Sequence, residues 1–237
     1  VKQVAVACAN KNIPIRIGVN SGPLEKHILE RYHTPTPEAL VESALYHVKL
    51  LERFDFNNIV ISIKSSNVKT MIESYRLAAL KSGYPMHLGV TEAGTERMGL
   101  IKSAVGIGSL LCDGIGETIR VSLTGDPVQE VYAAKDILKS IGRGSGVEIV
   151  SCPTCGRTRI NLVKVAHEVE EAVKDIDKNI KVAVMGCVVN GPGEAMEADI
   201  GIAGGDKCAV LFKKGEVIRK ISEENIVPEL LHEIELL

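Results

Sequence analysis

The sequence lacks a long apolar run, an excess of charge of either sign, and a secretory signal. No apolar run approaches the length of about 18 residues that a membrane helix needs, so we expect no membrane partner. The 28 basic and 30 acidic residues leave a net charge of −2, which does not indicate a nucleic-acid partner. The first residues, Val1 to Cys8, are too short and too poorly flanked for a signal peptide. We therefore expect a cytoplasmic, globular protein.

The six cysteines do not indicate a disulfide framework, because such frameworks belong mainly to small secreted domains. In a reducing cytoplasm some of them can instead be reserved for metal. Cys8, Cys112 and Cys208 lie in apolar stretches and are interpreted as small core residues. The cysteines that remain for chemistry are Cys152, Cys155 and Cys187.

Two short motifs carry these three cysteines. The first is C-P-T-C-G-R, which starts at Cys152, and the second is M-G-C-V-V-N-G-P-G-E, which contains Cys187 and ends at Glu194. A Cys-x-x-Cys motif supplies two thiolates from one turn, and a third cysteine in a glycine-rich turn can close on the same centre. Thiolates at such spacings select zinc or an iron–sulfur cluster. The carboxylate of Glu194 could reach the same metal.

Three interpretations of the cysteines are open at this point. A thioredoxin-like redox pair should precede a helix in a βαβ unit. A structural zinc site needs a fourth ligand, which Cys208 could supply, although its alternation with apolar residues favours burial. An iron–sulfur cluster is the interpretation that the pattern favours. Three sulfurs without an obvious fourth indicate a site with one exchangeable ligand, and hence chemistry as well as electron transfer.

Strand–helix alternation organises residues 1–144. Four β-branched runs lie at 13–20, 59–64, 86–92 and 118–123, and helical spacing is clear at 37–54 and 68–81. Such alternation predicts a parallel sheet with crossover helices. A closed barrel needs eight strand–helix units, so the sheet is either open or the second half of a barrel. The charged residues Arg16 and Arg120 within strands favour a barrel interior.

Residues 145–237 have a different pattern, which begins after the glycine-rich stretch 142–146, a linker or an ordinary loop. Short strands are predicted at 147–150, 181–185, 198–203, 208–212 and 216–220, and helices at 162–173 and from about residue 223. This pattern predicts a small α+β domain in which the cysteine motifs follow strands.

Polar side chains lie at or just past the ends of the four strands predicted in residues 1–144. In parallel α/β folds these strand ends face the ligand. Arginine and lysine there suit a phosphorylated substrate. The alternative for each residue is a solvated rim charge, but the recurrence at all four strands favours a ligand site. The residues are Arg16, Asn20, Lys64, Thr91, Glu92, Arg120 and Ser122.

Three more strings stand out: I-R-I-G-V-N-S-G from Ile15, H-L-G-V-T-E-A-G from His87 and G-I-G-E-T-I-R-V-S from Gly114. Together with both cysteine motifs, they resemble the 4-hydroxy-3-methylbut-2-enyl diphosphate synthase family (GcpE or IspG). The resemblance covers essentially the whole chain. It implies an α/β fold: a partial, second-half TIM barrel at 1–144, then a small reductase-like α+β domain with a 4Fe-4S cluster at 145–237. The implied reaction is the reductive dehydroxylation and ring opening of 2-C-methyl-D-erythritol 2,4-cyclodiphosphate in the non-mevalonate isoprenoid pathway.

The same resemblance implies roles for individual residues. It assigns three irons to the cysteines of the two motifs and the fourth iron to Glu194, and it makes Glu92 an acid or base near the reacting oxygen. It also implies flavodoxin or ferredoxin as electron donor, and a homodimer in which one cluster domain caps the partner's barrel. The implied ligands of the cyclic diphosphate are Arg16, Asn20, Lys64, Thr91, Arg120 and Ser122, and those of the cluster are Cys152, Cys155, Cys187 and Glu194.

The sequence departs from the family at its beginning. Family members have roughly four more strand–helix units before the position of Val1, and this chain starts without an initiator Met. We therefore expect a C-terminal fragment that is inactive alone and whose exposed strands can pair with another copy. A module that only binds a cluster or transfers electrons, or a zinc-stabilised domain, is the alternative function.

Overall fold

The structure, a computed structural model, describes residues 1–189, 193 and 196–237. The chain divides into two compact units, Val1–Gly142 and Arg143–Leu237. Each unit has its own hydrophobic core. Among the described residues, no helix is both long and apolar enough to cross a membrane.

The first unit alternates parallel strands with helices. Its elements are α1 (Lys2–Asn10), β1 (Ile15–Asn20), α2 (Lys26–Tyr32), α3 (Pro37–Glu52), β2 (Ile59–Lys64), α4 (Val68–Lys81), β3 (His87–Leu88), α5 (Glu96–Cys112), β4 (Thr118–Ile119) and α6 (Pro127–Ser140). Parallel ladders join β1 to β2 and β3 to β4, and a parallel bridge between Ile61 and Met86 links β2 to the segment before β3. The predicted α/β alternation with parallel strands is confirmed.

Alternate residues of β2 explain why the sheet has one apolar and one polar face. Ile59, Ile61 and Ile63 are at most 2% exposed. Since side chains alternate along a strand, Ser62 and Lys64 point to the opposite face. The helices begin where capping side chains satisfy their first amides: Thr36 accepts from the Ala39 N–H before α3, and Asn67 caps α4 in the same way. The residues next to α3 and α4 in the sequence therefore determine where these helices begin after the preceding segment.

Strands β3 and β4 are much shorter than the predictions at 86–92 and 118–123. The pairing of β2 with β3 also ends after the Ile61–Met86 bridge, because the hydroxyl of Tyr75 in α4 stands between the two strands. It accepts a hydrogen bond from the Ile63 N–H at 2.8 Å and donates to the His87 carbonyl oxygen. These two backbone groups are thus satisfied by a side chain instead of by each other. A buried tyrosine takes the place of strand pairing at this point.

Within the residues that the structure describes, the second unit contains a five-stranded mixed sheet together with helices. Its elements are β5 (Glu148–Ser151), α7 (Leu162–Val173), β6 (Lys181–Met185), β7 (Ile200–Gly205), β8 (Cys208–Lys213), β9 (Glu216–Ser222), a 3₁₀ turn (Glu223–Asn225) and α8 (Ile226–Glu235). The spatial order follows the sequence, with β5, β6 and β7 parallel and β8 and β9 antiparallel. Its main core contains buried side chains of α7 and α8, such as Val169 and Leu230.

Candidate functional site

Strand register in the first unit brings several predicted binding residues to the polar face of the sheet. Asn20 pairs with Lys64 at the carboxyl ends of β1 and β2. Arg16 lies on the same face of β1 as Asn20, because the two are four residues apart in one strand. Two cationic side chains and one amide thus belong to one surface at neighbouring strands.

Two glycines let the cationic side chains lie against the strands. A Cβ atom at Gly18 would be 3.5 Å from Cε and 3.7 Å from Nζ of Lys64, so the lysine extends over β1. A Cβ atom at Gly89 would be 3.1 Å from Nη2 and 3.2 Å from Nε of Arg120, and only 2.5 Å from its carbonyl oxygen. The Arg120 guanidinium therefore rests on bare backbone at Gly89, where any side chain would clash.

Arg120 carries donors suited to an anion. Its Nε and Nη2 atoms are buried and have no hydrogen-bond partner among the described residues. Burial lowers the pKa of Arg120, and the Arg16 charge acts in the same direction, while Tyr75 opposes them. A partly buried guanidinium with two unpartnered donors, in the positive field of the exposed Arg16, strongly favours an anionic ligand that can accept its hydrogen bonds.

His87 is a buried residue near Arg16 and Arg120 that the sequence-based prediction missed. It is 8% exposed, its Nδ1 is 2.7 Å from the hydroxyl of Thr118, and its Nε2 is buried without a partner among the described residues. Burial, then the charges of Arg16 and Arg120, lower the pKa of His87 to about 4. The imidazole is therefore neutral near pH 7. No local signal in the sequence marks it, because its neighbours Met86 and Leu88 are apolar.

Tyr75 completes the neutral, polar layer under the cations. Burial raises the pKa of Tyr75 to about 12, against the opposing effects of its hydrogen bond from Ile63 and of the nearby arginines. Its hydroxyl therefore stays protonated at all ordinary pH values. The layer thus adds no charge that would cancel the positive field of the arginines.

The remaining predicted residues of this unit lie in the segments that follow β3 and β4. The Thr91 N–H donates to the Ser65 carbonyl oxygen at 3.2 Å, which ties the segment after β3 to the segment after β2. Glu92 is exposed and has a φ of +53°. Residues other than glycine rarely adopt this conformation, and those that do cluster at functional sites. Ser122 is half-buried.

In the second unit the structure brings the first cysteine motif against the second. Cys152 directly follows β5, and its Sγ accepts a hydrogen bond from the Gly186 N–H at 3.2 Å. Gly186 precedes the buried Cys187, and its carbonyl oxygen accepts from the Arg159 N–H at 2.9 Å. Both loops that carry predicted ligands are thus joined at Gly186.

Cys155 is exposed and lies in a tight turn. The backbone of Arg157, with smaller contributions from Thr158, lowers the pKa of Cys155 through hydrogen bonds to its sulfur. Such an environment favours the thiolate, which is the form that binds metal. Among the described residues, no three His, Cys, Asp or Glu side chains are grouped closely enough to hold a metal ion. Glu194 lies outside the described residues.

The cysteines interpreted as core residues behave differently from one another. Cys8 is half-buried, and Cys208 lies in β8 with its Sγ 2.9 Å from where a Gly205 Cβ would be. Cys112 is exposed at the last position of α5. The core interpretation is therefore wrong for Cys112, because the apolar neighbours of this residue in the sequence point away from it around the helix.

Comparison with known proteins gives consistent results over both units. The GcpE TIM-barrel domain family matches residues 1–135, and the GcpE protein C-terminal domain family matches residues 148–236. The chain is 65% identical over 236 residues to the 4-hydroxy-3-methylbut-2-en-1-yl diphosphate synthase (flavodoxin) of Clostridium perfringens. It is 64% identical to the protein of that name from Clostridium acetobutylicum. In both cases the match covers 99% of this chain and 68% of the relative.

Proposed function

The chain belongs to the GcpE family, and on this premise we propose that it acts in the reaction for which its relatives are named. That reaction converts 2-C-methyl-D-erythritol 2,4-cyclodiphosphate into 4-hydroxy-3-methylbut-2-enyl diphosphate, taking up two electrons and two protons and releasing one water molecule. The observation that carries the proposal is the layer of cations on the polar sheet face of the first unit. The 65% sequence identity between this chain and the Clostridium perfringens protein supports the proposal that both act on the same substrate.

The diphosphate is the part of the substrate that this layer recognises. Arg120 offers two buried guanidinium donors, and Lys64 offers an ammonium that is held over β1. Arginine binds phosphate oxygens through a planar fork, whereas lysine acts as a point charge. Arg16 strengthens the positive field, and Asn20, Thr91 and Ser122 supply neutral hydrogen-bonding groups. Glu92, in its strained loop, is the proposed proton donor or acceptor.

The finer architecture is also part of the proposal. Four parallel strands follow one another in space in chain order, without the reversal that creates the binding crevice of a doubly wound sheet. This order supports a segment of a singly wound barrel at residues 1–144, and residues 145–237 then form the cluster domain. In such a barrel the carboxyl ends of the strands would face the substrate, because barrel enzymes bind their ligands there.

The donor chemistry of the two motifs fits a 4Fe-4S cluster. Cys152 accepts an amide hydrogen bond, and the turn around Cys155 stabilises a thiolate; both features are suited to cluster sulfurs. Cys152, Cys155 and Cys187 would hold the cluster, with Glu194 as an oxygen ligand by family resemblance. The bound cluster would supply the electrons for reduction. Flavodoxin, which the names of the relatives include, is the proposed donor, and a cytoplasmic homodimer is the proposed assembly.

Anaerobic purification tests the cluster. We expect a brown protein with stoichiometric iron and sulfide and the optical and electron paramagnetic signals of a 4Fe-4S centre. Cys187→Ser should lose most of the iron, whereas Cys208→Ser should keep it. A colourless protein with stoichiometric zinc would contradict the proposal and leave the structural zinc domain as the better description. Equal iron in both variants would contradict the assignment of Cys187.

Titration calorimetry with the cyclic diphosphate tests the cationic layer separately. We expect binding by the chain and a clear loss of affinity in Arg120→Gln, while Arg53→Gln, a helix-end substitution in α3, serves as the control. Turnover assays with reduced flavodoxin then test the expectation that the chain is inactive alone. Unchanged affinity in Arg120→Gln would refute the proposed substrate role of the sheet face.

A further inference from the structure

Thr158 lies where the two cysteine motifs meet. Its Oγ1 accepts a hydrogen bond from the Cys155 N–H at 3.2 Å, and its own N–H donates to the Cys155 carbonyl oxygen at 3.1 Å. The turn from Cys155 to Thr158 is thus closed from both ends by the same residue. Thr158 itself is half-buried, whereas Cys155 is exposed.

The same side chain packs against Gly186. A Cβ atom at Gly186 would be 3.1 Å from both Cγ2 and Oγ1 of Thr158. Gly186 in turn donates its N–H to the Cys152 sulfur and precedes Cys187. One threonine is therefore in contact with the turn of Cys155 and with the backbone that supports Cys152 and Cys187.

The hydroxyl hydrogen of Thr158 is available to donate a hydrogen bond. A threonine hydroxyl can accept one hydrogen bond and donate another. Because Oγ1 already accepts from the Cys155 N–H, its own hydrogen is available to an acceptor on the same turn. A donor aimed at a ligand sulfur stabilises the more negative charge state of a cluster, and such contacts set reduction potentials and metal affinity.

We propose that Thr158 is a positioning residue for the cluster, which holds the Cys155 turn against Gly186 and raises the reduction potential through its hydroxyl. The inference rests on the proposed function, since only a protein that binds the cluster has a potential to adjust. It concerns a residue between the two motifs that carries no ligand atom. Thr158→Val removes the hydroxyl and preserves the shape, and Thr158→Ser keeps the hydroxyl.

The test uses the full chain, purified anaerobically, with iron and sulfide analysis and a redox titration followed by electron paramagnetic resonance. We expect Thr158→Val to have a more negative potential and to lose iron to a chelator on the order of tenfold faster. Thr158→Ser should match the unaltered chain in both measurements. Thr154→Val, the same substitution at an exposed position between the two cysteines, should also match it.

The outcomes separate the two hypotheses. Thr158→Val with bound cluster and an unchanged potential would overturn the role of Thr158 and leave the proposed function intact. An equal shift in Thr158→Ser would also overturn it, because the methyl group and not the hydroxyl would then be responsible. An absence of iron in the unaltered chain would instead refute the proposed function. If Thr158→Val does not fold, Thr158→Ala, which also lacks the hydroxyl, is expected to show the same negative shift.

Discussion

Protonation of His87 should destabilise the first unit at mildly acidic pH. His87 is buried and feels the charges of Arg16 and Arg120, and its backbone carbonyl oxygen accepts a hydrogen bond from Tyr75 of α4. Burial and the two positive charges lower its pKa from 6.5 to about 4. Between these values the unfolded chain binds a proton that the folded chain does not. The free energy of unfolding should therefore decrease as the pH falls from 6.5 towards 4.

The size of the effect follows from the two pKa values. The contribution of His87 is fully present above pH 6.5, and its complete loss below pH 4 corresponds to about 3 kcal/mol. Between pH 7.5 and pH 5 the expected loss is about 2 kcal/mol. This is a large fraction of the stability of an ordinary domain, which is roughly 5–15 kcal/mol. The effect should be easy to measure.

Urea unfolding followed by tyrosine fluorescence isolates the first unit, because the chain has no tryptophan and all its tyrosines precede residue 143. His87→Asn keeps a polar group near Thr118 and removes the titration. The stability difference between the unaltered chain and His87→Asn should shrink by about 2 kcal/mol from pH 7.5 to pH 5. His33→Asn, at an exposed helix end, should retain the full pH dependence. Parallel pH profiles for the unaltered chain and His87→Asn would refute the reasoning.

Four further predictions concern packing and binding in the first unit. Gly89→Ala should lower the free energy of urea unfolding by about 2 kcal/mol, because its Cβ would be 2.5 Å from the Arg120 carbonyl oxygen. Gly108→Ala, where nothing lies within 4 Å of the new atom, should instead stabilise helix α5 by about 0.5–1 kcal/mol in the same assay. Tyr75→Phe should cost about 2 kcal/mol because it leaves two buried backbone groups unsatisfied; a loss below about 0.5 kcal/mol would show that water replaces the hydroxyl. Arg120→Lys should weaken binding of the cyclic diphosphate about tenfold in calorimetry, because lysine cannot form the planar fork. Equal affinities would contradict bidentate recognition by Arg120.

Sequence reasoning was most accurate where local signals determine an element. The bounds of β2, α4, α7 and β6 agree with the predicted ranges. Helices α4 and α7 begin at asparagine caps, Asn67 and Asn161, which the sequence displays directly. Within each of these segments, the apolar residues follow the spacing of one type of element, strand or helix, from its first residue to its last. Such elements need no information from distant parts of the chain.

The failures arise from contacts between residues distant in sequence. Tyr75 ends the pairing of β2 with β3 by reaching across from a helix 12 residues away, and no local pattern marks it. His87 sits among apolar residues and cannot be distinguished by sequence from an ordinary core histidine. Helix α1 was not predicted, because its alternating valines and alanines resemble a strand or a leader as much as a helix. The roles of the predicted site residues stay predictions.

The polar face of the first unit shows how a sheet can hold several like charges. Placing Arg16 and Arg120 near each other raises the free energy of the folded state, because their charges repel and Arg120 is partly buried. The groups His87 and Tyr75 near them stay neutral at pH 7 and add no charge, so the carboxylate of Glu130 is the nearby anion that partly offsets Arg120. An anion that binds at this face would relieve the remaining repulsion. Under the proposed function, the stability given up in the free protein would therefore become affinity for the diphosphate, and a buried histidine that stays uncharged would not oppose it.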